Sequence, residues 1–144
     1  MKFKHRSELI RSIIYIAGPY RGAGPAVVSA HVQAARDAMA ALMAAGYGVV
    51  CPHTMTHQLE FYNGLTDEMY LAQGLEQLRR CDAMIVLPGW SDSEGTQAEI
   101  WHATEWHIPF VYIEERPWQQ VYELLNVALA LAERPATWYN DGTS

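Results

Sequence analysis

Apolar and polar positions form alternating blocks that predict a repeat of strands and helices along most of the chain. Short apolar runs rich in β-branched residues are typical of strands buried on both faces, and apolar residues spaced by three or four are typical of helices. The predicted strands cover residues 12–17, 47–51, 82–87 and 109–114. The predicted helices cover residues 25–45, 66–80, 96–106 and 117–133.

The second predicted helix carries an apolar residue at every third position, and we expect this stripe to be buried. Its members are Met69, Ala72, Leu75 and Leu78. The preceding segment, residues 52–65, has no clear period, and we expect no regular element there.

The alternation of strands and helices predicts a single-domain, three-layer α/β sandwich over residues 1–144, with a mostly parallel flavodoxin-like or Rossmann-like sheet. Right-handed crossovers favour the strand order 2-1-3-4, with or without a fifth strand. In that order the chain changes direction between the first and third strands, and open sheets bind ligands beyond the strand ends at such a point. We therefore expect loops 18–25 and 88–95 to meet in one crevice.

Composition and charge narrow the class of partner. Half of the 144 residues are hydrophobic and 18% are charged, which is typical of a folded domain. The net charge is −6 and no Lys/Arg cluster exceeds two residues, so we expect no nucleic-acid partner. No apolar run reaches the length of a membrane span or signal core, and Cys51 and Cys81 are typical of free thiols. We expect a soluble, cytoplasmic protein without a membrane partner.

Acidic groups gather where the third helix is predicted to begin. Thr96 and Glu99 have the spacing of a capping box, in which Glu99 reaches back to the start of the helix. The alternative is catalytic: Asp92 and Glu94 add acids near Glu99, the helix N-terminus would hold one carboxylate ionised as a nucleophile, and a second carboxylate in a drier place would stay protonated. Carboxylate pairs of this kind cleave glycosidic bonds. The spacing supports both interpretations.

The loop after the first strand offers backbone N–H groups and one cation, Arg21, to a phosphate or a sugar hydroxyl. The alternative is an ordinary turn with a solvated Arg21. Tyr15 lies just before this loop, either as a core aromatic residue or as a phenol that orients a carboxylate. Asp82 is expected to be a turn residue at the opposite end of the sheet.

His53 and His57 are four residues apart and are followed by Glu60, a spacing that could hold a metal on a helix. Pro52 precedes the pair and no HExxH motif is present, so we expect no metal. We expect these histidines to line the crevice instead, against a nucleobase.

Three motifs occur in a fixed order: "YIAGPYRG", then "AGYGVVCPH", then "CDAMIVLPGWSDSEGTQAEIWHA" followed by "IPFVYI". Together they resemble the nucleoside 2-deoxyribosyltransferase superfamily over roughly residues 12–113. That superfamily includes transferases that exchange bases on deoxynucleosides and hydrolases that remove the base from nucleoside 5′-monophosphates. It also includes uncharacterised bacterial and phage-type members.

The resemblance implies that Glu99 is the nucleophile, that Asp92 is the acid handling the leaving base or a sugar hydroxyl, and that Tyr15 orients the nucleophile. It implies no cofactor, and it implies a homodimer or a larger homo-oligomer. The residues expected to contact the substrate are Gly18, Pro19, Arg21, Gly22, His53, Gly89, Ser93, Gly95 and Thr96.

The expected function is cleavage of the N-glycosidic bond of a nucleoside or nucleoside 5′-monophosphate, and Arg21 favours a phosphorylated substrate and hydrolysis. The alternatives are base exchange, a non-catalytic nucleotide-binding sensor, and a scaffold protein. Trp101 stands where many superfamily members carry Gly, and we expect its indole to narrow the pocket, which would suit a sensor. The tail residues Trp138 and Tyr139 are expected to pack on a neighbouring chain or on their own sheet.

Overall fold

Four parallel strands form the central sheet in a computed structural model that describes residues 12–57, 59 and 62–132. The strands are β1 (Ile13–Ala17), β2 (Gly48–Val50), β3 (Ala83–Val86) and β4 (Phe110–Tyr112). Their order is β2-β1-β3-β4, as predicted. Glu60, Trp138, Tyr139 and the predicted end of the last helix at residue 133 lie outside the described residues.

Within these residues, five α-helices pack around the sheet: α1 (Pro25–Ala44), α2 (Pro52–Thr56), α3 (Asp67–Arg79), α4 (Glu94–Glu105) and α5 (Trp118–Leu131). Proline occupies the first position of both α1 and α2, where its missing N–H costs no helical hydrogen bond. The short α2 corrects the expectation that residues 52–65 lack a regular element. None of the described helices is long and apolar enough to cross a membrane.

The two faces of the sheet carry different helices. Ile14 and Ile16 of β1 belong to a core cluster with residues of α1 and α5. Tyr15 and Ala17 point the other way, into a cluster with residues of α3 and α4. This alternation follows from the period of two along a strand. The three-layer α/β sandwich is confirmed, and Tyr15 faces the layer that contains Glu99.

The predicted stripe of α3 is wrong at its N-terminal half. Met69 is 50% exposed and Ala72 is exposed, whereas Gly74 and Leu78 are buried. Each step of three residues turns the helix by about 300°, so Met69 and Leu78 lie on opposite sides of it. The buried positions are instead four residues apart, which keeps them on one face.

Helix α4 begins two residues earlier than predicted, after a short 3-10 turn over Trp90–Asp92. Its N-cap is Ser93, whose Oγ accepts a hydrogen bond from the Thr96 N–H at 3.2 Å. The predicted capping box between Thr96 and Glu99 is therefore wrong. Glu99 lies in the second turn of α4, where it is not needed to close the helix end.

Candidate active site

Glu99 is a buried carboxylic acid on the side of α4 that faces the sheet. Only 9% of its surface is exposed. Burial raises the pKa of Glu99 from 4.5 to about 7, although the nearby Tyr15 hydroxyl partly opposes that rise. The expectation that the helix N-terminus keeps this group ionised is wrong, because the dipole effect fades beyond the first turn. Glu99 can therefore exchange a proton near neutral pH.

Tyr15 supplies a phenol beside Glu99. Its side chain is fully buried, and its hydroxyl has no hydrogen bond of good geometry within the described part of the chain. The hydroxyl is nevertheless close enough to Glu99 for each group to affect the other. Burial raises the pKa of Tyr15 well above its ordinary value, and the negative charge of Glu99 raises it further. The phenol therefore stays protonated and can donate to the Glu99 carboxylate.

Gly74 borders the side chains of Tyr15 and Glu99, and it was not among the site residues predicted from the sequence. A β-carbon at this position of α3 would lie 2.7 Å from Tyr15 Oη and 3.9 Å from Glu99 Oε2. Only glycine lets the backbone of α3 approach the phenol so closely. The signal was present, since a glycine inside a helix costs about 1 kcal/mol relative to Ala and invites a packing explanation.

Tyr15→Phe is expected to raise the free energy of unfolding by about 1 kcal/mol at pH 5.5, because it removes a buried hydroxyl without a well-formed hydrogen bond. Urea unfolding would measure the change. At that pH Glu99 is mostly protonated, so the contribution of the phenol to its charge is small.

Tyr122→Phe is the matched control for that measurement. The Tyr122 hydroxyl donates to the Ala41 carbonyl at 2.9 Å, so its removal should lower the stability by about 1 kcal/mol. An equal loss in both variants would show that Tyr15 makes a hydrogen bond of ordinary strength.

The loops after β1 and β3 meet, as the strand order predicts. A β-carbon on Gly18 would lie 2.8 Å from Leu87 Cβ. Gly89 adopts a left-handed backbone conformation with φ of 87°, and a β-carbon there would lie 3.2 Å from Pro19 Cγ. Loops 18–25 and 88–95 thus come together at the carboxyl ends of the strands.

The residues at the start of α4 differ in burial and in hydrogen bonding. Thr96 is buried, and its Oγ1 donates to Ser93 Oγ at 2.8 Å, so both hydroxyls already serve the helix cap. Apart from its own helical turn, nothing in the described part of the chain lies within 4 Å of the β-position of Gly95. Asp92 is exposed on the 3-10 turn. Of these two acids, Glu99 therefore lies in the drier place and Asp92 in the wetter one.

Arg21 is engaged by a carboxylate. Its guanidinium forms a bidentate ion pair with Asp67, the first residue of α3. Gly22 makes the tight loop possible, because a β-carbon there would lie 2.1 Å from Val27 Cγ1. Arg21 is thus exposed, as the interpretation of a turn with a solvated Arg21 expects, but it is also paired with an acid.

His53 joins the segment after β2 to the same edge of the sheet. It is 6% exposed, and its Nε2 donates to the Pro19 carbonyl at 2.8 Å. Burial lowers the pKa of His53, and its Nδ1 has no partner of good geometry among the described residues. His57 Nδ1 lies 3.0 Å from the Tyr20 hydroxyl. Within the ranges that the structure describes, no three His, Cys, Asp or Glu residues gather as metal ligands do.

Trp101 does not narrow the space around Glu99, contrary to the prediction. Two helical residues correspond to about 200° of rotation, which places Trp101 on the other side of α4. Its indole is 59% exposed and packs edge-on against His102, with ring centroids 4.9 Å apart.

Comparison with known proteins finds a family that spans all four strands but gives no activity for it. No curated protein matches the chain. The family described as a domain of unknown function, DUF4406, matches residues 12–112, which run from β1 to the end of β4 and include Tyr15, Gly74 and Glu99. The chain therefore belongs to the DUF4406 family of domains of unknown function.

Proposed function

We propose that this protein cleaves the N-glycosidic bond of a nucleoside or nucleoside 5′-monophosphate, with Glu99 as the nucleophile. The observation that carries the proposal is the buried Glu99 carboxyl beside the protonated Tyr15 phenol. A carboxylate in a dry site is attracted to the positive charge that develops on a sugar carbon as its bond to the base breaks.

In the first step the ionised Glu99 attacks the anomeric carbon while the bond from that carbon to the base nitrogen breaks. The bonding electrons leave with the base, and the sugar becomes esterified to Glu99. Tyr15 donates to one carboxylate oxygen and thereby aims the other at the sugar. Gly74 contributes by having no side chain, since a larger residue would push the phenol out of place.

The departing base takes a proton from water, and Asp92 is the residue that we assign to orienting that water, because its carboxyl group is exposed. It lies in the turn immediately before α4, at the edge where the two loops meet. In a hydrolase, water then attacks the glycosyl ester and releases both the sugar and Glu99. In a transferase, a second base attacks instead and forms a new nucleoside.

A panel of nucleosides and their 5′-monophosphates tests the proposal. Incubation with the protein, followed by chromatography and mass spectrometry, should reveal the free base together with a free sugar or sugar phosphate. Supplying a second base separates transfer from hydrolysis. Thermal stabilisation by a nucleotide without release of any base would instead identify a sensor.

We also propose that the protein is cytoplasmic. Cys51 and Cys81 are both buried thiols that form no disulfide, which agrees with a reducing cytoplasm. The homo-oligomer stays a prediction, which size-exclusion chromatography with light scattering would test.

The rate of base release is expected to rise about tenfold per pH unit below pH 7 and to level off above it. The attacking group is the ionised form of Glu99, and a pKa raised to about 7 leaves that form scarce in acid. A plot of kcat/KM against pH from 5 to 9 would measure the profile.

The Tyr15→Phe variant provides the control for this profile. The Tyr15 hydroxyl lowers the pKa of Glu99, so its removal should move the midpoint of the profile to higher pH. A rate that falls as pH rises through 7 would contradict the nucleophile and identify Glu99 as a general acid.

A further inference from the structure

The ion pair between Arg21 and Asp67 joins the loop after β1 to the first turn of α3. Arg21 Nη1 donates to Asp67 Oδ2 at 2.9 Å, and Nη2 donates to the other oxygen of the same carboxylate. Both terminal nitrogens of the guanidinium thus face one acid, in the fork geometry that Arg also uses for phosphate. Asp67 occupies the side of Arg21 that a phosphate would need.

This pair contributes little to stability. The two side chains are 69% and 68% exposed, and exposed pairs are typically worth about 0–1 kcal/mol. Its effect on a charged ligand is more direct, because Asp67 cancels most of the attraction that Arg21 would exert on an anion at short range.

The described loops next to Arg21 add negative charge and no further Lys or Arg. Glu68 lies in the first turn of α3, Asp92 in the 3-10 turn, and Glu94 at the first position of α4. Both helices begin at the carboxyl ends of the strands, so these acids share one edge of the sheet with Arg21. Within the described segments 18–24, 51–57, 66–69 and 88–95, Arg21 is the only Lys or Arg against four carboxylates.

Two other groups at this edge of the sheet supply little positive charge beside Arg21. His53 is neutral near pH 7, because burial lowers its pKa. Arg116 keeps its charge, but it follows β4, which β3 separates from β1, and its guanidinium donates to the Tyr112 carbonyl at 2.5 Å. The uncapped N-terminus of α1 remains, with no acid in its first turn, but a helix end carries only about half a unit charge.

We propose that Asp67 is a specificity-determining residue: by holding Arg21, it makes the strand-end site selective for an unphosphorylated nucleoside over its 5′-monophosphate. This choice of substrate rests on the proposed function. The claim that Asp67 keeps Arg21 from binding phosphate does not depend on that function, so the two claims can be tested separately.

Titration of the full-length protein with inorganic phosphate and with ribose 5-phosphate, followed by calorimetry, tests the role of Asp67 without any turnover. Asp67→Asn keeps the size of the side chain and removes its charge, so it should tighten the binding of both probes by about tenfold. Glu68→Gln removes the neighbouring charge of the same helical turn and should change binding by less than about threefold. Adding Arg21→Gln to Asp67→Asn should abolish the gain.

Three outcomes would overturn the role of Asp67. In the first, the wild type and Asp67→Asn bind phosphate equally well. In the second, Asp67→Asn and Glu68→Gln gain the same affinity for phosphate. In the third, Asp67→Asn still binds phosphate more tightly when Arg21 is also replaced. The first would assign phosphate binding to the N-terminus of α1. The second would reduce the effect to overall charge.

The ratio of kcat/KM for a nucleoside to kcat/KM for its 5′-monophosphate, with the same base, measures the preference between the two substrates. The wild type should prefer the nucleoside, and Asp67→Asn should shift the ratio about tenfold towards the monophosphate. Equal efficiency of the wild type on both substrates would overturn the selectivity and leave the glycosidase intact. Release from neither would reject the glycosidase, while the phosphate titration would still decide the role of Asp67.

Discussion

Glu99→Gln is expected to abolish base release and, at the same time, to make the protein more stable above pH 7. Glutamine has nearly the same size as glutamate but cannot attack the sugar, so the rate should fall by roughly a thousandfold or more. Release of free base from a nucleoside, followed by chromatography, would measure the loss.

The gain in stability follows from the raised pKa of Glu99. Below about pH 4.5 the group is protonated in both the folded and the unfolded chain, and its burial carries no charge penalty. Between pH 4.5 and about 7 the unfolded chain loses the proton while the folded protein keeps it, so the wild type becomes progressively less stable. Above pH 7 the penalty is constant, at about 3 kcal/mol. Glutamine never incurs it.

Urea unfolding at pH 5 and pH 8 would measure this difference. The advantage of Glu99→Gln over the wild type should be much larger at pH 8. Glu105→Gln is the matched control: Glu105 lies exposed in the last turn of the same helix, so its loss should change stability by less than about 0.5 kcal/mol at either pH. A Glu99→Gln variant that is no more stable at pH 8 would show that Glu99 is solvated, and an unimpaired rate would remove it from catalysis.

The strands and their order were accessible from sequence because β1 and β3 are buried on both faces. A strand of that kind is a continuous apolar run, and the handedness of crossovers then leaves few arrangements. Helix α2 was not accessible, since five residues are too few to establish a period. The stripe of α3 failed because a spacing of three drifts around the helix, whereas burial follows the mean spacing of 3.6 residues.

The residues of the candidate site were proposed from the sequence, but their environment was not. Motif order pointed to Glu99 and Tyr15, yet the burial of Glu99 depends on how α3 packs through Gly74, which no local pattern around Glu99 contains. Asp67 lies 46 residues from Arg21 along the chain, so the pairing of the two could not be read from either segment. Charge state and partners are properties of the packed structure, and the sequence shows only which groups are available.

Gly74→Ala is expected to lower the rate of base release by at least about tenfold and the stability by about 1–2 kcal/mol. At an ordinary helical position this change would add about 1 kcal/mol of stability, because alanine favours the helix. Here the new methyl group would lie 2.7 Å from the hydroxyl oxygen of Tyr15, whose side chain is fully buried. The clash outweighs the gain, and the displaced phenol no longer aims Glu99.

The double variant Gly74→Ala/Tyr15→Phe separates these two contributions. Without the hydroxyl, the nearest ring carbon is 3.9 Å from the new methyl group, which is ordinary contact. The double variant should therefore be about 1 kcal/mol more stable than Tyr15→Phe alone, yet remain as slow. Gly95→Ala measures the stabilisation that alanine gives through helix propensity alone, because no other described element lies within 4 Å of its β-position. If Gly74→Ala stabilised the protein as much as Gly95→Ala does, α3 would not press against Tyr15, and the positioning of Glu99 would need another cause.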